Sequence, residues 1–509
     1  MSIVPQHPHR PDVAFDGGAL DCGSGLLLQI RGHIDPLPRG GLVEIRSTEP
    51  TVAEDLPAWC RMTGNQLVST VQSAGSWSFL VCKGSLSERT SDVSHAAETG
   101  PKMAESAPRV DDGRLPTPTA VPAIPPLAVT GIGSWPRPRW MLQAIHDHVS
   151  GRLGEDEFQE TANDAVRLCV QAQLRAGVDL VTDGEQRRDS YASFVGGRLD
   201  NCQLIPITDL LPYVDDPAEF EQELRALDVP AGEVRHPAVF GRLGRSRPLA
   251  VHELQFARTQ TDRPVKVALP GPYLLTRTMW LECVSDRAYP DREALAEDVV
   301  RVLREELFQL LAAGAVVVQF DEPVLTEVVF GQPRGKRSFM CGALSAKRAP
   351  QEELAFAASL LNQVVADAPR RRTAIHICRG NWSRNEAVAL AGDYRPLLPL
   401  LCELQVGTYF LELCTPRAGE LEVLRDLPAD RRIGIGSVNQ KLDHVESVDE
   451  IVRRAEAAVR LFGADRLLLT PDCGFATFAD NPIASAEVAE KKLNALVAAQ
   501  RRLMGTSSS

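Results

Sequence analysis

Short apolar segments alternate with helix-like segments over most of the chain, and this repetition constrains the fold more than any other feature. Seven of the apolar segments are predicted to be strands, at residues 178–182, 265–268, 315–320, 373–377, 408–413, 432–435 and 466–470. Segments with helical periodicity, such as 291–313, 448–462 and 484–504, separate or follow them. Repeated β-α alternation of this extent is typical of an α/β fold with a parallel sheet covered by helices, most simply a (β/α)8 TIM-type barrel.

Polar residues directly follow several predicted strands, at the edge where a barrel has its active site. A strand directs alternate side chains to one face, so His376 and Cys378 point to the same place. Glu412 lies at the end of another predicted strand, and Cys473 lies in the turn after the last one. Imidazole, thiolate and carboxylate are zinc ligands, and a catalytic zinc keeps one position open. The four residues are therefore predicted to bind Zn²⁺, although packing and solvation would also explain them individually.

The composition is that of a soluble globular protein, with 509 residues, 44% of them hydrophobic and 24% charged. A net charge of −12 without a long basic run argues against nucleic acid as a partner. Because no apolar stretch approaches membrane-spanning length and the N-terminus is polar, we expect no membrane association and a cytoplasmic location. The 11 irregularly spaced cysteines favour reduced thiols over a disulfide scaffold.

A change of composition divides the chain into two predicted domains. Residues 85–126 are rich first in Ser, Glu and Ala and then in Pro, and they are predicted to form a flexible linker. The linker separates a small domain, residues 12–84, from the barrel, residues 127–505. The small domain has the pattern of an α+β fold, including a strand at 42–46, a helix at 52–62 and a final hairpin.

Ordered motifs of the large domain resemble the catalytic barrel of cobalamin-independent methionine synthase, from about Val129 to about Leu503. The motifs are TGIGS at 130–134, DGE at 183–185, LPGPY at 269–273, QFDEP at 319–323, TAIHICRGN at 373–381, the segment around Glu412, and TPDCG at 470–474. The resemblance implies a methionine-synthase-like barrel in which His376, Cys378, Glu412 and Cys473 are the zinc ligands.

The resemblance also implies an amino-acid site. Asp321 and Glu185 correspond to the catalytic carboxylates that hold the amino group of homocysteine, and Ser134 with Ile132 corresponds to the segment that receives its carboxylate. A zwitterion needs acidic partners at one end and donors at the other, so the assignment is chemically coherent. The alternative is that these carboxylates pair with an arginine such as Arg188.

The chemistry expected of such a site is attack by a zinc-activated thiolate. Zinc removes the proton of a bound thiol and leaves a nucleophilic sulfur, so we expect methyl or alkyl transfer to homocysteine or a similar small thiol. Lys441 occupies the position where the family has a histidine, with His444 three residues later, and the family's N-terminal barrel is absent. These departures leave the donor open, and relatives that act on epoxides indicate that the barrel accepts different electrophiles.

The small domain resembles the TusA-type sulfur carriers in its segments 16–25 and 54–65. The resemblance implies that Cys22, at the start of a helix that would lower its thiol pKa, carries a persulfide. Gly23 and Gly25 stand where the family has prolines. In the alternative function that follows, Cys22 delivers sulfur to the zinc barrel, with a cysteine desulfurase or another persulfide donor as partner.

Two further interpretations stay open at this point. The small domain could be retained only for docking or solubility. The whole chain could instead be a non-catalytic zinc-responsive or sulfur-responsive binding protein, which would require a zinc ion with no open coordination position.

Overall fold

The computed structural model describes residues 7–73, 76–89, 115–206, 235–280, 288–331 and 348–505. Within these ranges the strands form a four-stranded sheet, a seven-stranded sheet and a two-stranded hairpin. The first sheet belongs to the small domain and the other two belong to the large one. No helix among the described residues is long and apolar enough to cross a membrane.

The small domain is a mixed sheet covered by two helices, as the α+β prediction requires. Its strands are β1 (Val13–Asp16), β2 (Leu42–Ser47), β3 (Gln66–Ser73) and β4 (Ser76–Cys82), in the order β1-β2-β4-β3. The helices are Leu27–Ile34 and Val52–Met62. Both helices bury apolar side chains, among them Ile30 and Leu56, in one core with Val43 and Phe79 of the sheet.

The large domain is built on parallel strands, which confirms the predicted α/β class. Its seven-stranded sheet consists of β5 (Ala128–Val129), β8 (Lys266–Pro270), β9 (Val317–Asp321), β10 (Thr373–Ile377), β11 (Thr408–Leu411), β12 (Arg432–Val438) and β13 (Leu467–Pro471). The order is β5-β13-β12-β11-β10-β9-β8. Leu180 bridges to Thr130 beside β5, and Val181 bridges to Val265 beside β8. The segment around residues 180–181 therefore joins the two edges of the sheet and closes the barrel.

Helices follow or separate the barrel strands. They are Arg139–Val149, Glu155–Ala176, Val251–Arg258, Pro272–Met279, Arg292–Ala312, Val324–Phe330, Pro350–Val365, Leu398–Glu403, Val448–Phe462 and Ala486–Leu503. Local sequence fixes several of their ends. Ser447 and Glu450 form a capping box at the start of Val448–Phe462, and Gly177 ends Glu155–Ala176 in a left-handed conformation with φ of 84°.

The last part of the predicted linker is ordered against the barrel. The Thr119 backbone N–H and hydroxyl both donate to the Leu311 carbonyl, at 3.2 and 3.1 Å, and Arg372 donates to the Thr119 carbonyl at 2.5 Å. Val121 and Ile124 pack against an apolar cluster formed by residues of several barrel strands. Residues 115–126 thus cover the end of the barrel opposite the predicted site, whereas residues 90–114 of the predicted linker lie outside the described ranges.

A hairpin of the large domain contacts the small domain. The hairpin consists of β6 (Asp200–Pro206) and β7 (Arg235–Gly244). Gln203 Nε2 donates to the Gly32 carbonyl at 2.9 Å, and a Cβ at Gly32 would lie only 2.8 Å from the Phe240 ring. Gly32 is therefore required for the close approach of helix Leu27–Ile34 to this hairpin.

Candidate metal centre and active site

The carboxyl edge of the barrel brings the predicted site residues together. The ends of β5, β9, β10, β11 and β13 supply Ser134, Asp321, His376, Cys378, Glu412 and Cys473, and all of these side chains are buried. Parallel strands end at the same edge, which is why residues far apart in sequence meet there.

His376, Cys378 and Cys473 form a cluster that could hold a metal ion. Their ligand atoms all lie within 4.8 Å of one another, and the two sulfur atoms are 3.8 Å apart. One imidazole and two thiols are a donor set suited to zinc and similar soft divalent ions. The structure therefore assembles three of the four predicted ligands.

The His376 ring is oriented for metal binding. Nδ1 lies 3.2 Å from the Phe410 carbonyl, which can only accept, so Nδ1 carries the proton. Nε2 is buried, and no described residue forms a hydrogen bond with it. A metal-ligating histidine has this arrangement, with one nitrogen held by a carbonyl and the other free to bind the ion.

The two clustered thiols have opposite pKa shifts. The hydrogen bond from Cys473 and the nearby His376 ring hold the pKa of Cys378 well below its usual range. The Cys378 thiolate and burial raise the pKa of Cys473. Burial alone would lower the pKa of His376, but the Cys378 thiolate beside it raises it. The cluster therefore already stabilises a thiolate, which is the form that binds a metal.

Glu412 lies beside this cluster but is not one of the three grouped residues. Its Oε2 accepts from the Arg379 backbone N–H at 2.9 Å and from Asn381 Nδ2 at 2.6 Å. Its Oε1 pairs with the Arg417 guanidinium at 2.8 Å. Burial, Asp472 and Cys378 raise the pKa of Glu412 to about 8. Its role as fourth ligand stays a prediction.

A cavity opens next to the cluster of His376, Cys378 and Cys473, which is called the metal cluster below. It is lined by Ile132, Ser134, Glu185, Tyr191, Asp321, Pro323, His376, Cys378, Asn381, Trp382, Cys473, Gly474 and Thr477. The lining includes every predicted substrate-binding residue and the three clustered ligands. A small molecule in the cavity would therefore contact the acidic residues and the metal cluster together.

Glu185 is held in an unusual conformation at one side of this cavity. Its φ is 54°, a left-handed value that a non-glycine residue adopts only at an energetic cost. Burial raises the pKa of Glu185 to about 7, although Arg188 opposes the shift. Oε2 is buried and has no hydrogen-bond partner in the described part of the chain. A ligand ammonium group would satisfy this oxygen.

The alternative pairing of the acidic residues with Arg188 is not what the structure shows. The Arg188 guanidinium instead forms an ion pair with Glu253 at 2.6 Å and donates to the Ala268 carbonyl at 2.9 Å. Asp321 accepts from Gln319 Nε2 at 2.7 Å, and burial raises the Asp321 pKa. The Asp321 carboxylate can therefore still accept hydrogen bonds from a molecule in the cavity.

Ser134 ties the segment after β5 to the loop that carries Cys473. Its carbonyl accepts from Phe475 N–H at 3.0 Å, and its Oγ accepts from Ala476 N–H at 3.3 Å. A Cβ at Gly474 would lie 2.1 Å from Ser134 Oγ. Gly474, next to Cys473, is therefore needed for the loop after β13 to approach Ser134 this closely.

Lys441 reaches the neighbourhood of the metal cluster. The residue is buried, and its Nζ has no hydrogen-bond partner among the residues described. Burial and Arg417 lower the pKa of Lys441 to about 8, while Glu412, Cys378 and Cys473 oppose the shift. Lys441 is therefore close enough to interact electrostatically with Glu412 and with the two clustered thiols.

The structure does not give Cys22 the accessible thiol with a lowered pKa that its place before a helix predicts. The stretch Cys22–Leu26 forms a π-helical turn before helix Leu27–Ile34, and Cys22 is only 5% exposed in the core of the small domain. Burial, Asp55 and Asp21 raise the pKa of Cys22 to about 12. The persulfide role predicted for Cys22 would require the thiol to become accessible.

Several cavity residues were not predicted from the sequence. Asn381 and Trp382 follow the His376-Cys378 strand closely, so their nearness in sequence to the ligands was an available signal. Tyr191 and Thr477 lie in loops with no distinguishing pattern, and only the three-dimensional structure places them at the cavity.

Comparisons with known proteins identify relatives of both domains. The family model described as the catalytic domain of cobalamin-independent synthase matches residues 127–211 and 230–500, and the model for sulfurtransferase TusA matches residues 25–83. A methionine synthase of Saccharolobus solfataricus is 26% identical over 376 residues, which cover 74% of this chain and 94% of that protein. A methionine synthase of Sulfurisphaera tokodaii is 25% identical over 352 residues, covering 69% and 86%.

Solved structures show the same relationship for the large domain. A B12-independent methionine synthase from Shewanella sp. W3-18-1, in complex with selenomethionine, has a TM-score of 0.57 at 25% identity and covers 75% of this chain and 98% of its own. A Listeria monocytogenes protein described as a putative vitamin-B12-independent methionine synthase has a TM-score of 0.52 at 20% identity, covering 75% and 99%, and supports the fold alone.

Proposed function

The chain belongs to the cobalamin-independent synthase family through its catalytic domain, and from this premise we propose that it is a zinc-dependent enzyme that transfers a methyl group to the thiol of homocysteine or a close analogue. The curated relatives are methionine synthases, and the aligned segment spans 94% of the Saccharolobus solfataricus protein. The domain limits of this proposal are 12–84 for the small domain and 127–505 for the barrel.

One observation carries the proposal. The same cavity is lined by the cluster of His376, Cys378 and Cys473 and by the carboxylates of Glu185 and Asp321. A thiol bound at the cluster would therefore belong to a molecule that also presents a cationic group. An amino acid with a side-chain thiol meets both requirements.

The residues of the cluster fit a zinc ion. Within the described part of the chain His376 Nε2 has no hydrogen-bond partner, and the Cys378 and Cys473 sulfur atoms lie close enough to share one ion. These three residues would hold the ion, and Glu412 is the proposed fourth protein ligand. When bound, zinc lowers the pKa of an incoming thiol so that the thiolate is available as a nucleophile at neutral pH.

The remaining residues position the amino acid. Glu185 and Asp321 accept hydrogen bonds from its ammonium group, and Ser134 with the backbone near Ile132 receives its carboxylate. With both ends fixed, the side-chain sulfur is held at the metal side of the cavity. Such fixed placement lowers the entropic cost of bringing the sulfur to an electrophilic methyl group.

In the proposed reaction a sulfur–carbon bond forms as the bond between the methyl group and its donor breaks. The thiol proton is lost to solvent before the transfer, and the donor atom keeps the electron pair of the broken bond and takes up a proton from solvent where it is an amine nitrogen. Lys441, at the position of the family's histidine, offers an amine beside the ligands rather than an imidazole. The methyl donor in the assay should therefore be varied, and both folate-linked and simpler methyl compounds should be included.

The experiment that tests this function is a homocysteine-dependent methylation assay on zinc-loaded and chelator-treated protein. We expect zinc-dependent formation of methionine with one of the donors, and an Asp321→Asn variant with unchanged zinc content and a raised KM for homocysteine. A weakened contact to a charged group would raise this KM by about tenfold or more. Equal KM values in the wild type and this variant would contradict the homocysteine assignment.

A second candidate function is sulfur delivery, which the match of residues 25–83 to TusA favours. Cys22 would receive a persulfide sulfur from a cysteine desulfurase or another donor and pass it to an acceptor at the metal cluster. Mass spectrometry after incubation with a desulfurase and cysteine would detect a persulfide on Cys22. Unchanged sulfur transfer by a Cys22→Ser variant would exclude this role and leave methyl transfer as the proposed function.

A cytoplasmic location is part of the proposal. No disulfide joins two of the nine cysteines in the described ranges, and cysteines of cytoplasmic proteins stay reduced.

A further inference from the structure

Lys266 is a buried lysine inside the barrel, below the cavity. It lies on β8 and is 1% exposed. Its Nζ donates to the Ile132 carbonyl at 2.5 Å and to Gln319 Oε1 at 2.6 Å, and it lies 4.6 Å from the centre of the Phe410 ring. Lys266 does not line the cavity. Burial of such a group costs free energy unless its hydrogen bonds are satisfied.

The contact with Gln319 fixes the orientation of an amide. Because Lys266 donates to Oε1, the Gln319 NH₂ group must face the other way, and Nε2 donates to Asp321 Oδ1 at 2.7 Å. Gln319 therefore transmits the position of the lysine to a carboxylate of the cavity. Burial lowers the pKa of Lys266 to about 7, but the neutral amine also has two N–H donors for its two acceptors.

The contact with Ile132 fixes the opposite side of the cavity. The Ile132 carbonyl belongs to the turn after β5 that also carries Ser134. Ser134 is in turn tied to the loop of Cys473 through Phe475 and Ala476. The single amino group of Lys266 thus touches both the segment that carries Asp321 and the segment that carries Ser134.

We propose that Lys266 is a positioning residue that sets the separation between the ammonium-binding and carboxylate-binding sides of the cavity. This inference rests on the proposed function, because it concerns the amino-acid site. Lys266 acts through Gln319 on one side and through the Ile132 carbonyl on the other. Its removal would loosen both ends of the site while leaving the ligands of the metal cluster in place.

Arg372 provides a matched control. It is also a buried cation that donates to backbone carbonyls, including those of Ala315 and Leu311, but it lies at the amino-terminal end of the barrel. Replacement of either cation by methionine removes a charge and its contacts with carbonyl groups. Only the replacement of Lys266 should alter the amino-acid site.

The test is calorimetric titration of L-methionine into zinc-loaded protein. The wild type is compared with the single variants Lys266→Met, Gln319→Met and Arg372→Met and with the variant that combines Lys266→Met and Gln319→Met. We expect Lys266→Met to weaken methionine binding about tenfold or more, with unchanged zinc content. In the methylation assay the same variant should raise the KM for homocysteine more than it lowers kcat. Arg372→Met should bind methionine as the wild type does. The Lys266→Met/Gln319→Met double variant should bind methionine no more weakly than Lys266→Met, because Gln319 lies on one of the two paths through which Lys266 acts.

Equal methionine binding by wild type and Lys266→Met would overturn this inference alone. Absence of methionine binding by the wild type would overturn the proposed function and this inference with it. If Lys266→Met does not fold, Gln319→Met decides the matter, and wild-type affinity in that variant would overturn the relay to Asp321.

Discussion

The sulfur atoms of Cys378 and Cys473 lie 3.8 Å apart although 95 positions separate the residues in sequence. The two cysteines follow β10 and β13, and two further strands, β11 and β12, lie between these in the sheet. Curvature of the barrel brings their ends together with His376 on the same side. The pair of sulfurs is therefore a product of the closed sheet, and it explains why a candidate metal site lies at this edge.

Replacement of Cys473 by serine should reduce zinc binding. The hydroxyl is a much poorer ligand for zinc than a thiolate, so we expect an affinity loss at least as large as the roughly 10- to 100-fold caused by changes around metal ligands. The measurement is zinc content after dialysis against a competing chelator. Cys414→Ser is the control, since Cys414 is partly exposed and lies outside the cluster. Equal zinc retention by both variants would exclude Cys473 as a ligand.

Replacement of Glu412 by glutamine tests the fourth predicted ligand. If the carboxylate turns from Arg417 to the ion on metal binding, the variant should lose zinc affinity by about 10-fold or more. Glu386→Gln is a matched control, because Glu386 also pairs with Arg417 but is not a predicted ligand and does not belong to the cluster. Wild-type affinity in Glu412→Gln would show that three protein ligands suffice.

Methionine binding should weaken as the pH falls through the pKa of Glu185. This carboxyl has a pKa of about 7, so it is charged above that pH and neutral below it, whereas the methionine ammonium stays protonated. Between about pH 8 and about pH 6 we expect the wild-type affinity to fall roughly 3- to 10-fold. Glu185→Gln should bind weakly at both pH values. A wild-type profile as flat as that of the variant would contradict the role of Glu185.

The stability of the metal-free protein should depend on Lys441 at alkaline pH. The pKa of Lys441 falls from its ordinary value of 10.5 to about 8 in the folded protein, so between these values the unfolded chain binds more protons than the folded one. Stability from this group therefore increases as the pH rises through that window. Lys441→Met should be more stable than the wild type near neutral pH and should lose this rise. Denaturant unfolding at several pH values measures both effects, and parallel curves for the two proteins would contradict the prediction.

The barrel was predictable from the sequence because its strands are short, apolar and regularly followed by helices. The strand at 178–182 was predicted as strongly as the others, yet only Leu180 and Val181 form bridges there, and β5 has just two residues. Pairing at the two edges depends on how the sheet closes, which a local pattern does not encode. The convergence of His376, Cys378 and Cys473 was predictable for a simpler reason, since parallel strands end at one edge.

The surroundings of single groups were less accessible to sequence reasoning. Cys22 has the position of an exposed thiol at a helix start, but the turn Cys22–Leu26 directs it into the core of the small domain. Lys266 interrupts an apolar strand, and its partners Ile132 and Gln319 come from the turn after β5 and from β9. Such contacts between distant segments arise only from packing.

X-ray absorption at the zinc edge, with and without homocysteine, tests the central claim most directly. The account predicts that zinc is bound by two sulfur atoms, one histidine nitrogen and one light-atom ligand, and that homocysteine adds a third sulfur. A protein that retains no zinc, or a zinc environment that homocysteine leaves unchanged, would contradict it. An unchanged environment would also favour a coordinatively closed site and hence a non-catalytic zinc protein.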